Sequence, residues 1–343
     1  MNNHFEKFVF LAVIIAVVFF SRFAYPLNSG LPTLSLADSV HVASSKAPPL
    51  LVLPVSAVPG TPVAISAAGP SVTDGAVPQE ISGGTVTGAS NATSSFIRTT
   101  TTTVPSLTAQ AALVADLQSG TIFYSENADK RWPTASITKL MTASVALDHF
   151  TLDQRITITP QIFSADPEEV TLVPGGTYTT GDLLHVMLMP SSNVAAEAFA
   201  DTYDRSGFMA AMNARAAEWG MTNTYFDDPS GISAANQSTA DDMLLLAQKI
   251  YTGYPQIFSF TRTPQTTITE LNSGKSVPVK SINDFAGQPD FIGGKTGHTD
   301  QADGNLLSVF NDDGHPVLII VLGTNSRFND TQRLYSWFKS NFK

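Results

Sequence analysis

The C-terminal two-thirds of the sequence, roughly, predicts an α+β domain with helices packed around an antiparallel sheet. Strand-like segments stand at both ends of this region and helix-patterned segments fill its middle. The segment AALVADL, then Ser119-Gly120, then TIFYSE, reads as two strands joined by a tight turn. A helix is expected from Ser136 to His149, with Pro133-Thr134 ahead of it as a start signal. LLHVMLM leads into VAAEAFADTY as a helix-turn-helix pattern. FMAAMNARAAEWG repeats the helical period and stops at Gly220. Thr239 to Ile250 reads as another helix, capped by Ser238 or Thr239. Late strands are expected at DFIGGKTG, NLLSVFN and HPVLIIVLG, and an amphipathic helix from Asp330 to Phe342 closes the chain. No internal repeat is visible.

The rest of the chain is different. Residues 8–20, FVFLAVIIAVVFF, are an unbroken apolar run after Lys7 and before Ser21-Arg22. Thirteen residues match the apolar core of a signal peptide. Extended through Phe23, Ala24 and Tyr25, with Arg22 snorkelling, the run reaches about 18 residues, marginally enough to span. Residues 1–30 are therefore expected to export the remainder of the chain, as an uncleaved anchor or as a cleaved signal. Residues 31–106 hold nine of the 21 prolines and few charges, so they read as a Ser/Thr/Ala-rich linker expected to be disordered. Residues 107–343 are left as the globular domain. The chain carries 19 basic and 29 acidic residues, a net charge of -10, which argues against a nucleic-acid partner. Cysteine is absent, so disulfides, thiolate metal sites and a cysteine nucleophile are excluded.

Three short segments carry chemistry. In Ser136-Ile137-Thr138-Lys139, positions three apart share a helix face, so the Ser136 hydroxyl and the Lys139 amine can meet. Serine is a weak nucleophile until a base takes its proton. Lysine serves as that base only if burial or a neighbouring cation lowers its pKa from about 10.4. Ser191-Ser192-Asn193 precedes a helix. A loop serine there can relay a proton, and an asparagine amide can both donate to and accept from a substrate amide. Gly293-Gly294-Lys295-Thr296-Gly297-His298 ends a predicted strand, where glycines admit a second chain and a lysine and hydroxyl can bind a carboxylate. It is not a phosphate loop, because the first glycine of that motif is missing. Each element alone is common: Ser336-Trp-Phe-Lys339 repeats the first and Ser125-Glu-Asn127 and Ser281-Ile-Asn283 repeat the second. In the order Ser-x-x-Lys, Ser-x-Asn, Lys-Thr-Gly, Ser336 comes after the last element and Ser125 before the first, and Ser281 lies only about a dozen residues before Lys295.

On these motifs, and on ADLQSGTIFYSENAD, PTASITKLMTA, LVPGGTYTTGDLLHVMLMPSSN, MNARAAEWGMTNTYFDDPSGIS, STADDM and GGKTGHTDQADGNL, the chain from about Ala109 onward resembles the low-molecular-mass penicillin-binding proteins, the serine D-alanyl-D-alanine carboxypeptidases. The resemblance implies the β-lactamase/D,D-peptidase fold: an antiparallel sheet packed with an all-helical subdomain, and the active site in the cleft between them. It implies Ser136 as the acylated nucleophile, Lys139 as its base and Ser191 as the proton shuttle to the leaving D-alanine. Asn193 would hold the substrate backbone, and Lys295 and Thr296 its terminal carboxylate. Gly297 lies within the same motif, and the N–H groups of Ser136 and His298 would form the oxyanion hole. The substrates implied are peptidoglycan stem peptides, with β-lactams as covalent inhibitors. No metal or organic cofactor is implied. An exported, membrane-anchored enzyme is expected, or a secreted or periplasmic one if the N-terminal segment is cleaved. Ser192 and Val194 depart from the Gly and Asp common in the family. No room remains after the last helix for the β-rich C-terminal domain and anchor many members carry. Glu168-Glu169 lies before the second motif, which speaks against a class A β-lactamase. A D,D-endopeptidase with the same machinery, and a non-catalytic peptidoglycan- or β-lactam-binding protein, are the alternatives.

Overall fold

The computed structural model describes residues 96–164 and 171–343. The expected export segment, the linker up to residue 95 and Glu168-Glu169 lie outside the described residues. Strands β1 (Ala111–Asp116) and β2 (Ile122–Glu126) form the first antiparallel pair. The short strand β3 (Trp132–Pro133) runs through a 3-10 turn (Ala135–Thr138) into α1 (Lys139–His149). Next come β4 (Arg155–Thr157), α2 (Pro160–Phe163), β5 (Thr177–Thr179), α3 (Thr180–Leu188), α4 (Asn193–Tyr203) and α5 (Arg205–Glu218). Strand β6 (Gln237–Ser238) leads to α6 (Ala240–Gly253), α7 (Pro255–Arg262) and the hairpin β7 (Gln265–Thr269) and β8 (Ser276–Lys280). The long strands β9 (Phe291–Thr299), β10 (Asp303–Asp312) and β11 (His315–Thr324) and the helix α8 (Arg327–Asn341) complete the domain.

The main sheet has the order β2-β1-β11-β10-β9, antiparallel throughout. Strand β1 pairs with β11, Ala111 opposite Leu322 and Asp116 opposite Val317, so the two ends of the domain close the sheet together. Side chains alternate across it. Leu113, Leu307, Val309, Leu318 and Ile320 share one core with the helices α1 and α3 to α7. Val114, Leu306, Phe310, Ile319 and Val321 face Leu334, Tyr335, Trp337 and Phe338 of α8. Cover on both faces explains why these strands read as unbroken apolar runs. Strand β9 is left as an edge beside the helical layer, and the candidate site lies along it.

The expected elements are present, with shifts that have physical causes. The first turn at Ser136 is 3-10, so α1 proper begins at Lys139. Helix α6 is capped by Thr239, whose hydroxyl accepts from the Asp242 N–H at 3.1 Å. The hairpin β7–β8 and helix α7 were not anticipated. The hairpin is mostly polar, with only Ile268 and Val279 fully buried, so its sequence has little of the period a strand needs. Lys339 and Ser336 stand exposed on α8 while Trp337 and Phe338 are buried, the arrangement expected of that repeated motif.

The linker boundary expected at residue 106 lies earlier among the described residues. Ile97 and Lys343 exchange two backbone hydrogen bonds. Thr99 N and the Thr100 hydroxyl donate to the carbonyls of Asn341 and Ser340, and Thr102 N donates to the Asn341 side chain at 2.7 Å. The last carbonyls of a helix have no partner within it. Here a threonine-rich segment supplies donors, which is why this stretch is ordered against α8. Among the described residues no helix is long and apolar enough to cross a membrane.

Phe338 is fully buried among Phe96, Phe123 and Phe342, with ring centroids 5.0, 5.0 and 5.3 Å away. Phe338→Ala should therefore cost about 3–5 kcal/mol of stability, measured by urea denaturation.

Candidate active site

The site is built on a strained turn. Ala135 is buried and has φ 48°, a left-handed conformation that costs a non-glycine residue about 1–3 kcal/mol. Its neighbours hold it there. Thr134 N donates to the Asn236 carbonyl at 2.9 Å, and Asn305 Nδ2 donates to the carbonyls of Pro133 (2.8 Å) and Thr134 (3.1 Å). Two glycines let further chain segments close on the turn. A Cβ on Gly231, itself at φ +88°, would stand 1.9 Å from the Ala135 carbonyl oxygen. One on Gly297 would stand 3.0 Å from the Thr134 oxygen and 3.2 Å from the Ser136 nitrogen. The turn ends with Ser136 half-buried at the cleft and Lys139 one helical turn on.

Lys139 is 0% exposed. Its Nζ lies 2.8 Å from Ser136 Oγ, 2.8 Å from Asn193 Oδ1 and 2.6 Å from the Ser230 carbonyl oxygen. The two amide-type oxygens can only accept. When the amine is neutral they take its hydrogens, and the lone pair is left for the Ser136 hydroxyl. The same geometry that satisfies a lysine ammonium therefore orients a lysine base.

Lys295, 1% exposed on β9, donates to Ser191 Oγ at 2.9 Å and to the Thr296 carbonyl at 3.0 Å. Neither partner is a carboxylate. Burial, and then the charges of Lys139 and Arg327, hold its pKa well below the usual lysine value. Ser191 sits at φ 73° in the loop between α3 and α4, a second left-handed non-glycine residue at the site. Arg327, at the start of α8, donates to the Gly297 carbonyl at 3.0 Å, and burial lowers its pKa as well. Three cations thus converge on the end of β9 within a chain of net charge -10.

These contacts join Ser136, Lys139 and Asn193 in one set and Ser191 and Lys295 in a second, and Thr296 and Gly297 are buried beside Lys295 on β9. His298 is the next residue of the strand, with its side chain exposed. The departures from the family pattern have structural work. Ser192 Oγ accepts from Ala195 N at 3.1 Å and caps α4, and Val194 is fully buried in the helical core. The repeated motif at Ser281 is a turn, with Asn283 N donating to Ser281 Oγ at 3.2 Å. Sequence reasoning missed Ser230, Asn305 and Arg327. Ser230 contributes a backbone carbonyl, which no side-chain pattern announces. The only signal there was the turn-forming run Asp228-Pro229-Ser230-Gly231.

A buried serine–lysine pair, with a second serine and lysine across the cleft of an α+β fold, defines the class of serine acyl-transfer enzymes that work without a histidine base. The profile of the D-alanyl-D-alanine carboxypeptidase family matches residues 98–326, and the chain belongs to that family. It is 34% identical over 245 residues to a D-alanyl-D-alanine endopeptidase of Pseudomonas aeruginosa, covering 68% of this chain and 78% of the relative. It is 27% identical over 263 residues to the D-alanyl-D-alanine carboxypeptidase DacC of Escherichia coli, covering 72% and 65%. Among solved structures it matches penicillin-binding protein D2 of Listeria monocytogenes in its cefotaxime-bound form, with TM-score 0.60 and 32% identity, over 68% of this chain and 97% of that one. The protein is accordingly a hydrolase of the D-alanyl-D-alanine peptidase type and a penicillin-binding protein fold.

Lys295 generates a pH-dependent prediction. Between its lowered folded pKa and the unfolded value of 10.5, the unfolded chain holds a proton that the folded chain lacks. Stability then rises with pH through that window. The burial penalty is full below the folded pKa and is relieved as pH climbs to 10.5. Lys295→Met should be more stable than wild type at neutral pH, with a gain that shrinks toward alkaline pH, as read by urea denaturation across a pH series.

Proposed function

We propose that the protein is a serine D,D-carboxypeptidase that removes the terminal D-alanine from peptidoglycan stem peptides through an acyl-enzyme on Ser136. The observation that carries this reading is the Lys139 amine held between two obligate acceptors with its third contact on Ser136 Oγ. Lys139 takes the Ser136 proton as Oγ attacks the carbonyl carbon of the penultimate D-alanine. The oxyanion is held by the N–H groups of Ser136 and His298. The proton passes from Lys139 through the Ser191 hydroxyl to the leaving nitrogen, the C–N bond breaks and D-alanine departs. Water then adds to the ester, its proton returning through the same groups, and the shortened peptide leaves with Ser136 restored. Lys295 and Thr296 receive the carboxylate of the leaving residue, in the electrostatic field of Arg327. Asn193, whose Oδ1 is engaged with Lys139, holds the substrate backbone in this reading.

β-Lactams acylate the same serine in this reading, supported by the cefotaxime-bound Listeria relative. The substrate lies outside the cytoplasm, so the apolar run at residues 8–20 serves as an export segment that tethers the enzyme to the membrane, or releases it if cleaved. A second reading, a D,D-endopeptidase that cleaves crosslinks, is favoured by the Pseudomonas relative. The acylation chemistry is common to both, and they differ in what leaves.

A fluorescent penicillin should label the wild type and leave Ser136→Ala unlabelled, with hydrolysis in the variant reduced by at least about 10³-fold. An unlabelled wild type, or a labelled variant, would sink the acyl-enzyme on Ser136. Free D-alanine from a stem pentapeptide is the expected product. Cleavage of crosslinked dimers without D-alanine release would move the function to the endopeptidase.

A further inference from the structure

One anion sits behind the serine–lysine pair and is not part of the reaction outlined above. Asp228 is 8% exposed. Its Oδ1 accepts from Ser230 N (2.8 Å), Ser230 Oγ (2.9 Å) and Gly231 N (2.5 Å), and its Oδ2 accepts from Ser233 N at 2.6 Å. Burial pushes its carboxyl up, but these bonds outweigh burial and hold it below the ordinary carboxylate value, so it is ionised at neutral pH. The four donors belong to the segment whose Ser230 carbonyl takes a hydrogen from Lys139 and whose Gly231 lies against the Ala135 carbonyl. A second side chain, Asn236, closes the loop. Its Oδ1 accepts from Asp227 N and Asp228 N, while its backbone carbonyl accepts from Thr134 N.

We propose that Asp228 is a positioning residue for acylation: through the Ser230 carbonyl it sets the direction of the Lys139 lone pair toward Ser136. A carbonyl at the apex of a loop is free to tilt, and a tilt here turns the lysine hydrogens and therefore the lone pair. Converging four donors on one carboxylate removes that freedom. An asparagine offers a single oxygen, which can serve the three donors at Oδ1 but leaves the Ser233 N–H facing an amide nitrogen. The role depends on the acyl-enzyme reading of Ser136.

The test is the rate of acylation of the full chain by a fluorescent penicillin over a range of concentrations. Amplitude counts folded sites, and the saturation curve separates the binding constant from the acylation rate constant. Asp228→Ala should lower the acylation rate constant about 100-fold at an unchanged binding constant, the scale expected for a misplaced catalytic group. Asp228→Asn should lower it about tenfold, and it carries the test if the alanine variant does not fold. A loss of amplitude with wild-type rate constants at the surviving sites would overturn the proposal, because Asp228 would then only fold the loop. A wild-type rate constant in Asp228→Asn would also overturn it. A wild type that takes no label removes the reaction itself, and this role with it.

Discussion

Two buried lysines share one cleft, and much of the site is arranged to make that tolerable. Removing an ammonium from water is costly, and a second one nearby adds repulsion. Nearby hydrogen-bond acceptors offset part of this, among them a serine hydroxyl and an asparagine oxygen, the Ser230 carbonyl and the Thr296 carbonyl. Neither contact of Lys295 neutralises its charge. The residual strain appears as the lowered pKa of Lys295, and it leaves the cleft electrostatically receptive to an anion. The acidic surplus of the chain does not cancel this field, because carboxylates more than about 8–10 Å away through solvent are screened by salt.

The acceptors must be delivered from four separate parts of the chain, which explains the close approaches at the site. The Ala135 turn, the Asp228–Asn236 loop, the Ser191 loop and strand β9 converge within hydrogen-bonding distance of two amines. Gly231 and Gly297 permit this because a methyl at either position would meet backbone of the Ala135 turn. The left-handed conformations of Ala135 and Ser191 are stored strain, held by Asn236, Asn305 and the Lys295–Ser191 contact.

The sheet supplies the rigidity behind that convergence. Strand β9 is an edge, yet it is fixed along its length by β10, and β10 by β11, whose two faces are covered by the helical core and by α8. Helix α8 is in turn tied at its C-terminal end by the threonine-rich segment at residues 97–102. A contact far from the cleft thus belongs to the chain of packing that keeps Lys295 in place.

Much of this protein could be read directly from its residues. The period of the apolar positions revealed the helices and long strands, and the order and spacing of three short motifs singled out Ser136, Lys139, Ser191, Asn193, Lys295 and Thr296 from their repeats elsewhere. Side-chain chemistry is local and leaves a mark at each position. The hairpin β7–β8, the ordering of residues 96–106, the Ser230 carbonyl and the Asp228 clamp left no such mark. Each depends on backbone groups or on partners distant in the sequence or across a loop, as with Thr102 on Asn341 or Lys139 on Ser230. Hydrogen bonds of the main chain carry no residue identity, so the sequence by itself determined which side chains are candidates for the chemistry. Only the tertiary structure decided which way the lysine points, because that direction is set by carbonyls placed through the fold.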